Sequence, residues 1–327
     1  MTQRNLIEAI NDALTIAMSQ DERVMVIGED VGRNGGVFRA TNGLIERFGE
    51  ERVVDTPLAE AGIVGTAIGL AVYGLRPVVE IQFLGFSMQA FAQLLLQAAR
   101  IRMRSLGRFS CPLVLRAPFG GGVRSLELHF DALEAHFVHA PGLKVVVPAN
   151  PYDAKGLLLS AIEDPDPVVY LEPLRGYRAG RSAIPDGHYT IPLGQAAIVR
   201  EGSDVTVVAW SAMVAVALEA AALLEDEGIS LEVIDLRTLV PLDTATLIRS
   251  VQKTAHAIVV HEAPRTAGVG AEIVAQINER ALYSLEAPVV RVTGYDLVPP
   301  AGMEDDYLPN AARIVQAVHT VLDEYRP

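Results

Sequence analysis

Short runs of β-branched and aliphatic residues alternate along almost the whole chain with longer stretches in which apolar positions return every three or four residues. A period that switches repeatedly between strand and helix is the signature of a parallel sheet wrapped by helices, so the pattern predicts an α/β protein. Strands are expected near Val24–Ile27, Val53–Asp55, Val78–Gln82, Leu113–Arg116, Lys144–Val147 and Val168–Leu171, with helices over Glu8–Met18, Ala61–Val72, Met88–Arg104 and Tyr152–Ile162. The segment Pro173–Pro192 carries three prolines, three glycines and no hydrophobic period, and reads as a crossover between two units. Beyond it, strands near Val205–Ala209, Leu231–Ile234, Ala257–Val260 and Val289–Val292 predict a second, smaller sheet. The expected architecture is two open, mainly parallel sheets, with domains at 1–185 and 201–327 and a linker at 186–200.

Composition narrows the function classes. Half of the 327 residues are hydrophobic, which excludes extended disorder. Lys and Arg number 27 against 40 Asp and Glu, and the resulting charge of −13 argues against nucleic acid or an anionic membrane as the main partner and fits a basic protein better. The single cysteine, Cys111, excludes an intrachain disulfide and a multi-cysteine metal knuckle. The opening MTQRNLIEAINDAL is amphipathic, with acidic residues early and no apolar core or cleavage site after it, so the expected location is the cytoplasm. The most membrane-like stretch, Val205–Leu224, contains Thr206, Ser211 and Glu219 and reads as a buried strand followed by a helix.

The P-loop spacing is absent. Gly62, Gly65 and Gly69 lie inside a helical pattern, where small residues permit close helix packing, rather than at the strand-to-helix turn that a dinucleotide fingerprint needs. Glu60 stands at the start of that helix. It either complements the helix dipole or, buried among Leu58, Ile63 and Val64, stays protonated and donates a hydrogen bond to a ring nitrogen. Gln82 and Phe86 follow a strand, at the edge where ligands of open α/β sheets bind, and Phe86 is either core or a stacking platform for a flat heterocycle. Gly120, Gly121 and Gly122 predict a mobile loop that brings His129 to the same edge, where an imidazole shuttles protons near neutral pH. A metal site from His129, His136 and His139 is the weaker alternative, because no acidic ligand completes it.

The motifs GEDVGRNGGVFRAT (Gly28–Thr41), DTPLAEAGIVGTAIGLA (Asp55–Ala71), EIQFLGF (Glu80–Phe86), RAPFGGGV (Arg116–Val123), PGLKVVVPANPYDAKGLL (Pro141–Leu158) and HEAPRTAGVGAEI (His261–Ile273) closely resemble one family, in unbroken order from about Asn5 to the C-terminal helix. It is the beta subunit of the thiamine diphosphate-dependent decarboxylating component of 2-oxo acid dehydrogenase complexes. The resemblance implies a pyrimidine-binding domain followed by a transketolase-type C-terminal domain, in an α2β2 assembly with cofactor between subunits. The Gly-Asp-Gly and following asparagines that hold magnesium and diphosphate are missing here, so an alpha subunit must supply that half of the site.

By the same resemblance, Glu60 matches the glutamate that hydrogen-bonds the aminopyrimidine ring nitrogen and promotes the tautomer that removes the thiazolium proton, and this outweighs the dipole reading. Leu58, Gln82 and Phe86 match positions lining the aminopyrimidine pocket. His129 matches the histidine implicated in acyl transfer to the lipoyl arm, with Asp131 as its orienting partner. Phe130 departs from the Ser or Ala of many relatives, and a bulky ring there would narrow access. The loop around Ala161, Asp164 and Asp166, with the carbonyl of Leu113, resembles one that binds potassium in several relatives; otherwise it is a solvated acidic turn. Docking of a basic domain of the acyltransferase core, which carries lipoyl domains, would use acidic residues such as Glu304, Asp305 and Asp306. The implied reaction is oxidative decarboxylation of pyruvate or a branched-chain 2-oxo acid with acyl transfer to lipoamide. The alternatives are acetoin cleavage and a catalytically degenerate docking subunit.

Overall fold

The structure, a computed structural model, describes residues 1–324; the last three positions of the expected 201–327 domain lie outside them. Its strands are β1 (Thr2–Arg4), β2 (Val24–Gly28), β3 (Val53–Asp55), β4 (Arg76–Glu80), β5 (Val114–Phe119), β6 (Lys144–Val146), β7 (Val168–Pro173), β8 (Ser182–Ile184), β9 (Ala197–Arg200), β10 (Val205–Ala209), β11 (Leu231–Asp235), β12 (Thr238–Val240), β13 (Ala257–Pro264) and β14 (Val290–Gly294). Seven form one sheet in the order β12-β6-β7-β5-β4-β2-β3, and five form a second in the order β14-β13-β10-β11-β9. Every pairing in these sheets is parallel except β12 with β6 and β9 with β11.

Strands such as β2 and β10 are buried at every position, which is why they read as unbroken apolar runs rather than alternating ones. The large sheet is covered on one face by the helices Leu6–Gln20 and Pro151–Glu163. The first begins at a reciprocal cap between Asn5 and Glu8, and the second at Asn150 with Pro151 in its first turn. Its other face shares one continuous core with the second sheet, running from Ile63 and Leu115 through Phe137 and Trp210 to Ile234 and Ile273. The Val205–Leu224 stretch is indeed a buried strand followed by the helix Met213–Glu225.

Two expectations are corrected. The helix expected over Met88–Arg104 is broken into short turns at Leu84–Gln89, Phe91–Leu96, Ala98–Arg100 and Ile101–Arg104. At the break the Ala99 carbonyl packs on Gly142, where a Cβ would lie 2.2 Å from that oxygen, so a tertiary contact overrides helical periodicity. The crossover Pro173–Pro192 is not featureless: β8 pairs antiparallel with β1, and Lys155 donates to the Pro185 carbonyl at 2.5 Å. Three-residue strands are too short to leave a period in the sequence.

Candidate active site

Parallel pairing of β3, β2, β4 and β5 brings the segments that follow them to one edge of the large sheet. Glu29 follows β2, Glu60 opens the helix after β3, Gln82 and Phe86 follow β4, and His129 lies beyond β5. Glu60 is 5% exposed, and its Oε2 is buried with no hydrogen-bond partner in the chain. Such an atom is costly unless something outside the chain satisfies it. Ile63 and Val64 are buried beneath it, whereas Leu58 is 77% exposed and contributes nothing to this burial within the chain. Burial, followed by the charge of Glu60, lifts the Glu29 carboxyl above its ordinary range.

The structure brings His129 together with the segment after β4. Its ring stands edge-on to Phe83 and Phe86, at 4.6 and 5.2 Å between centroids. Nδ1 lies 3.1 Å from the Glu127 carbonyl, which can only accept, so in this arrangement Nδ1 carries a proton and donates it to that oxygen. Among the described residues no hydrogen bond joins Asp131 to His129, whose Nδ1 partner is the Glu127 carbonyl; Asp131 Oδ1 is buried without a partner, and burial raises its carboxyl against the attraction of His129. Phe130 is 2% exposed and packs inward, so its ring does not stand in the opening. The two loops cross at Gly85, where a Cβ would sit 2.3 Å from the Leu128 carbonyl. Among the described residues no group of three or more His, Cys, Asp or Glu side chains is arranged to hold a metal.

The three glycines serve close approach rather than mobility. A Cβ at Gly120 would meet Glu262 Oε2 at 1.8 Å, one at Gly121 would meet Leu308 at 2.3 Å, and one at Gly122 would meet the Arg175 backbone at 2.5 Å. The Gly121 N–H donates to Glu262 at 3.0 Å, and the N–H groups of Gly122 and Arg124 donate to the two oxygens of Glu304. Glu304, 3% exposed, is therefore committed to this loop and is not available for docking a partner; Asp305 pairs with Arg124. Glu262 lay within a sequence motif, but its contact with the glycines joins positions 141 residues apart and leaves no local signal.

Behind the loop, burial pushes Glu134 up to about 7 and Glu262 up to about 8, the latter with added repulsion from Glu134 and Glu304 against attraction from Arg175. Asp235, buried beside Asp153, is raised to about 7. The folded chain keeps these protons at pH values where the unfolded chain has released them. Their contribution to stability is complete below pH ~4 and is lost as pH rises through 7 to 8, by up to about 1.4 kcal/mol per pH unit for each group. His261, stacked on Trp210 at 5.1 Å, acts oppositely: burial depresses it to about 4, so its contribution is present above pH ~6.5 and lost on acidification. Chemical denaturation midpoints are expected to fall from pH 6 to pH 9, and Glu262→Gln is expected to flatten the upper part of that profile; an unchanged slope would remove Glu262 as its source.

Beneath the edge, Arg116 is 1% exposed and reaches Glu172 with Nε and Nη2, both at 2.7 Å, and Glu80 with Nη1. The hydroxyl of Tyr177 donates to Glu172 as well. The loop expected to bind potassium is already supplied with cations. Arg76 donates to the carbonyls of Ile162 and Asp164 at 2.6 and 3.3 Å, Lys144 pairs with Asp164, and Arg102 pairs with Asp166 at 2.6 Å. Leu113 accepts from the Val168 N–H at 2.9 Å, and Ala161 is buried in the core. This arrangement does not fit a further cation, and no potassium role is drawn from it.

Two family models match: the transketolase pyrimidine binding domain over residues 2–179 and the transketolase C-terminal domain over residues 194–314. The pyruvate dehydrogenase E1 component subunit beta of Bacillus subtilis (strain 168) is 53% identical over 324 residues, covering 99% of this chain and all of its own. The protein of the same description from Staphylococcus aureus (strain N315) is 51% identical with the same coverage. Among solved structures, a split-gene transketolase described as an inactive beta4 tetramer superposes with a TM-score of 0.81 at 25% identity, over 99% of this chain and 100% of that one. Pichia stipitis transketolase, 14% identical and covered to 47% by 99% of this chain, superposes at 0.69 and speaks for the fold alone. With both domains matched and full-length relatives at this identity, the chain belongs to the family of pyruvate dehydrogenase E1 beta subunits.

Proposed function

We propose that this chain, joined to an alpha subunit in an α2β2 assembly, catalyses thiamine diphosphate-dependent oxidative decarboxylation of pyruvate and passes the acyl group to lipoamide on an acyltransferase core. The observation that carries the reading is the buried, unpartnered Oε2 of Glu60 at the sheet edge that also holds His129 against Phe83 and Phe86. Thiamine diphosphate, when bound, supplies the electron sink for decarboxylation. In this reading the Glu60 carboxyl satisfies its lone oxygen on the aminopyrimidine ring and holds or passes a proton there. Gln82 and Phe86 line the ring, Leu58 covers it once the other subunit is present, and Nε2 of His129 handles the proton at the lipoyl sulfur. The division at 1–185, 186–200 and 201–327 belongs to the same proposal, except that the end of the expected linker, Ala197–Arg200, is a strand of the second sheet paired with β11 and so goes with the C-terminal domain.

An alpha subunit is further supported by the helix Glu60–Tyr73. It turns Gly62, Thr66, Gly69 and Tyr73 outward, and a Cβ at Gly62 or Gly69 would meet no tight contact in this chain. Gly62 and Gly69 leave room for a neighbour that the chain itself does not provide. No helix among the described residues is long and apolar enough to cross a membrane.

Calorimetric titration of thiamine diphosphate with magnesium tests the reading. Tight binding is expected only when the alpha subunit is present, and pyruvate is expected to turn over faster than branched-chain 2-oxo acids; no binding to the assembly would leave a docking subunit. His129→Ala is expected to slow acyl transfer to lipoamide about 10²-fold while sparing decarboxylation followed with an artificial electron acceptor. Equal loss in both half-reactions would take His129 out of the transfer step.

A further inference from the structure

We propose that Glu262 and Glu304 are positioning residues: a pair of carboxyl groups from the C-terminal domain that clamps the backbone of the Gly120–Arg124 segment and so sets where the loop presents His129. The inference rests on the reading of His129 as the group that serves acyl transfer.

Both carboxyl groups are buried and both come from the far side of the domain junction, Glu262 from the end of β13 and Glu304 from the first turn of the Glu304–Tyr307 helix. Between them they accept from three backbone N–H groups, those of Gly121, Gly122 and Arg124. Glu262, which keeps its proton up to about pH 8, accepts from Gly121 as a neutral carboxyl oxygen, while the two oxygens of Glu304 accept from Gly122 and Arg124 in a water-excluded setting where backbone hydrogen bonds are costly to leave unmade. By contrast the ion pair of Arg124 with Asp305, at 2.6 Å, is largely exposed on both sides and adds little. Successive glycines let the backbone reach these acceptors, since a Cβ at Gly120 or Gly121 would overlap Glu262, Glu304 or Leu308.

The loop is thus fixed at two points. Its base is held by the clamp, and its tip is held where Leu128 crosses Gly85 and His129 meets Phe83 and Phe86. Between the anchors Leu126 is exposed, so little apolar burial holds this stretch. Releasing the base would leave only the aromatic contacts to place the imidazole. The clamp joins the loop of one domain to the body of the other, so the position of His129 depends on how the two sheets are docked.

Hydrogen exchange on the full chain, assembled with its alpha subunit, tests the clamp. Glu304→Ala and Gly121→Ala are expected to speed exchange of the amides of residues 121–129 at least tenfold. Glu304→Gln, which keeps one accepting oxygen and guards against a variant that fails to fold, is expected to do so less. Acyl transfer should fall more than tenfold in the first two variants, with a raised KM for the lipoyl substrate, while decarboxylation with an artificial acceptor falls less than threefold. Unchanged exchange in Glu304→Ala overturns the clamp. Fast exchange with full acyl transfer, in an enzyme that His129→Ala inactivates for that step, overturns it as a positioning device. If His129→Ala also leaves acyl transfer intact, the reading of His129 fails, and the exchange result alone decides whether the carboxyl groups hold the loop.

Discussion

Glu60→Gln is expected to leave the fold and the assembly intact and to lower pyruvate turnover by about 10²–10⁴-fold, the range that a positioned acid or base contributes. The substitution keeps the size of the side chain at the helix N-terminus, where loss of negative charge costs about 0.3–1 kcal/mol. Against this, it replaces a buried carboxyl whose Oε2 has no partner in the chain with a neutral amide, which removes a desolvation cost. The two effects oppose each other, so the thermal midpoint should barely move. An amide can still donate a hydrogen bond to a ring nitrogen, but it cannot release a proton to it. Cofactor affinity should therefore change much less than turnover. Turnover within threefold of wild type would remove Glu60 from the mechanism.

Arg116→Met is the substitution expected to cost most in stability. It leaves Glu80 and Glu172 buried with no guanidinium between them, and removing one partner of a buried ion pair costs about 3–5 kcal/mol. The folded protein would have to protonate one or both carboxyls, so the deficit should shrink as pH falls towards 5. Arg116→Lys keeps the charge but not the two-pronged contact with Glu172, and should fall between Met and wild type. Denaturant midpoints across that pH range decide the matter. A loss below about 1 kcal/mol for Arg116→Met would mean that water reaches the carboxylates.

Most strands and the edge that carries the site were legible because fully buried parallel strands leave dense apolar runs. Val53–Asp55 and Val205–Ala209 match the expected spans, and helix ends marked by Asn5 and Asn150 lie within a few residues of those expected. What escaped was structure made by distant partners. The broken Leu84–Arg104 stretch depends on Gly142, β8 on β1, and the glycine loop on Glu262 and Glu304. Gly120–Gly122 illustrate the difficulty: the same three residues suit a mobile loop or a tightly apposed one, and only the facing surface distinguishes them. At the site, Glu60, Gln82, Phe86 and His129 were read from their places after strands. The inward turn of Phe130 and the exposure of Leu58 depend on packing that the local sequence does not encode.

Thr238–Val240 crosses from the second half of the chain to close the outer side of the first sheet, running antiparallel to Lys144–Val146. No cut in the crossover therefore yields two finished sheets. A fragment ending near residue 185 would bare a strand with unpaired N–H and C=O groups, the kind of border that recruits another chain and seeds aggregation. The two halves are joined as a swapped strand joins protomers, and they should unfold as one cooperative unit rather than as beads on a tether.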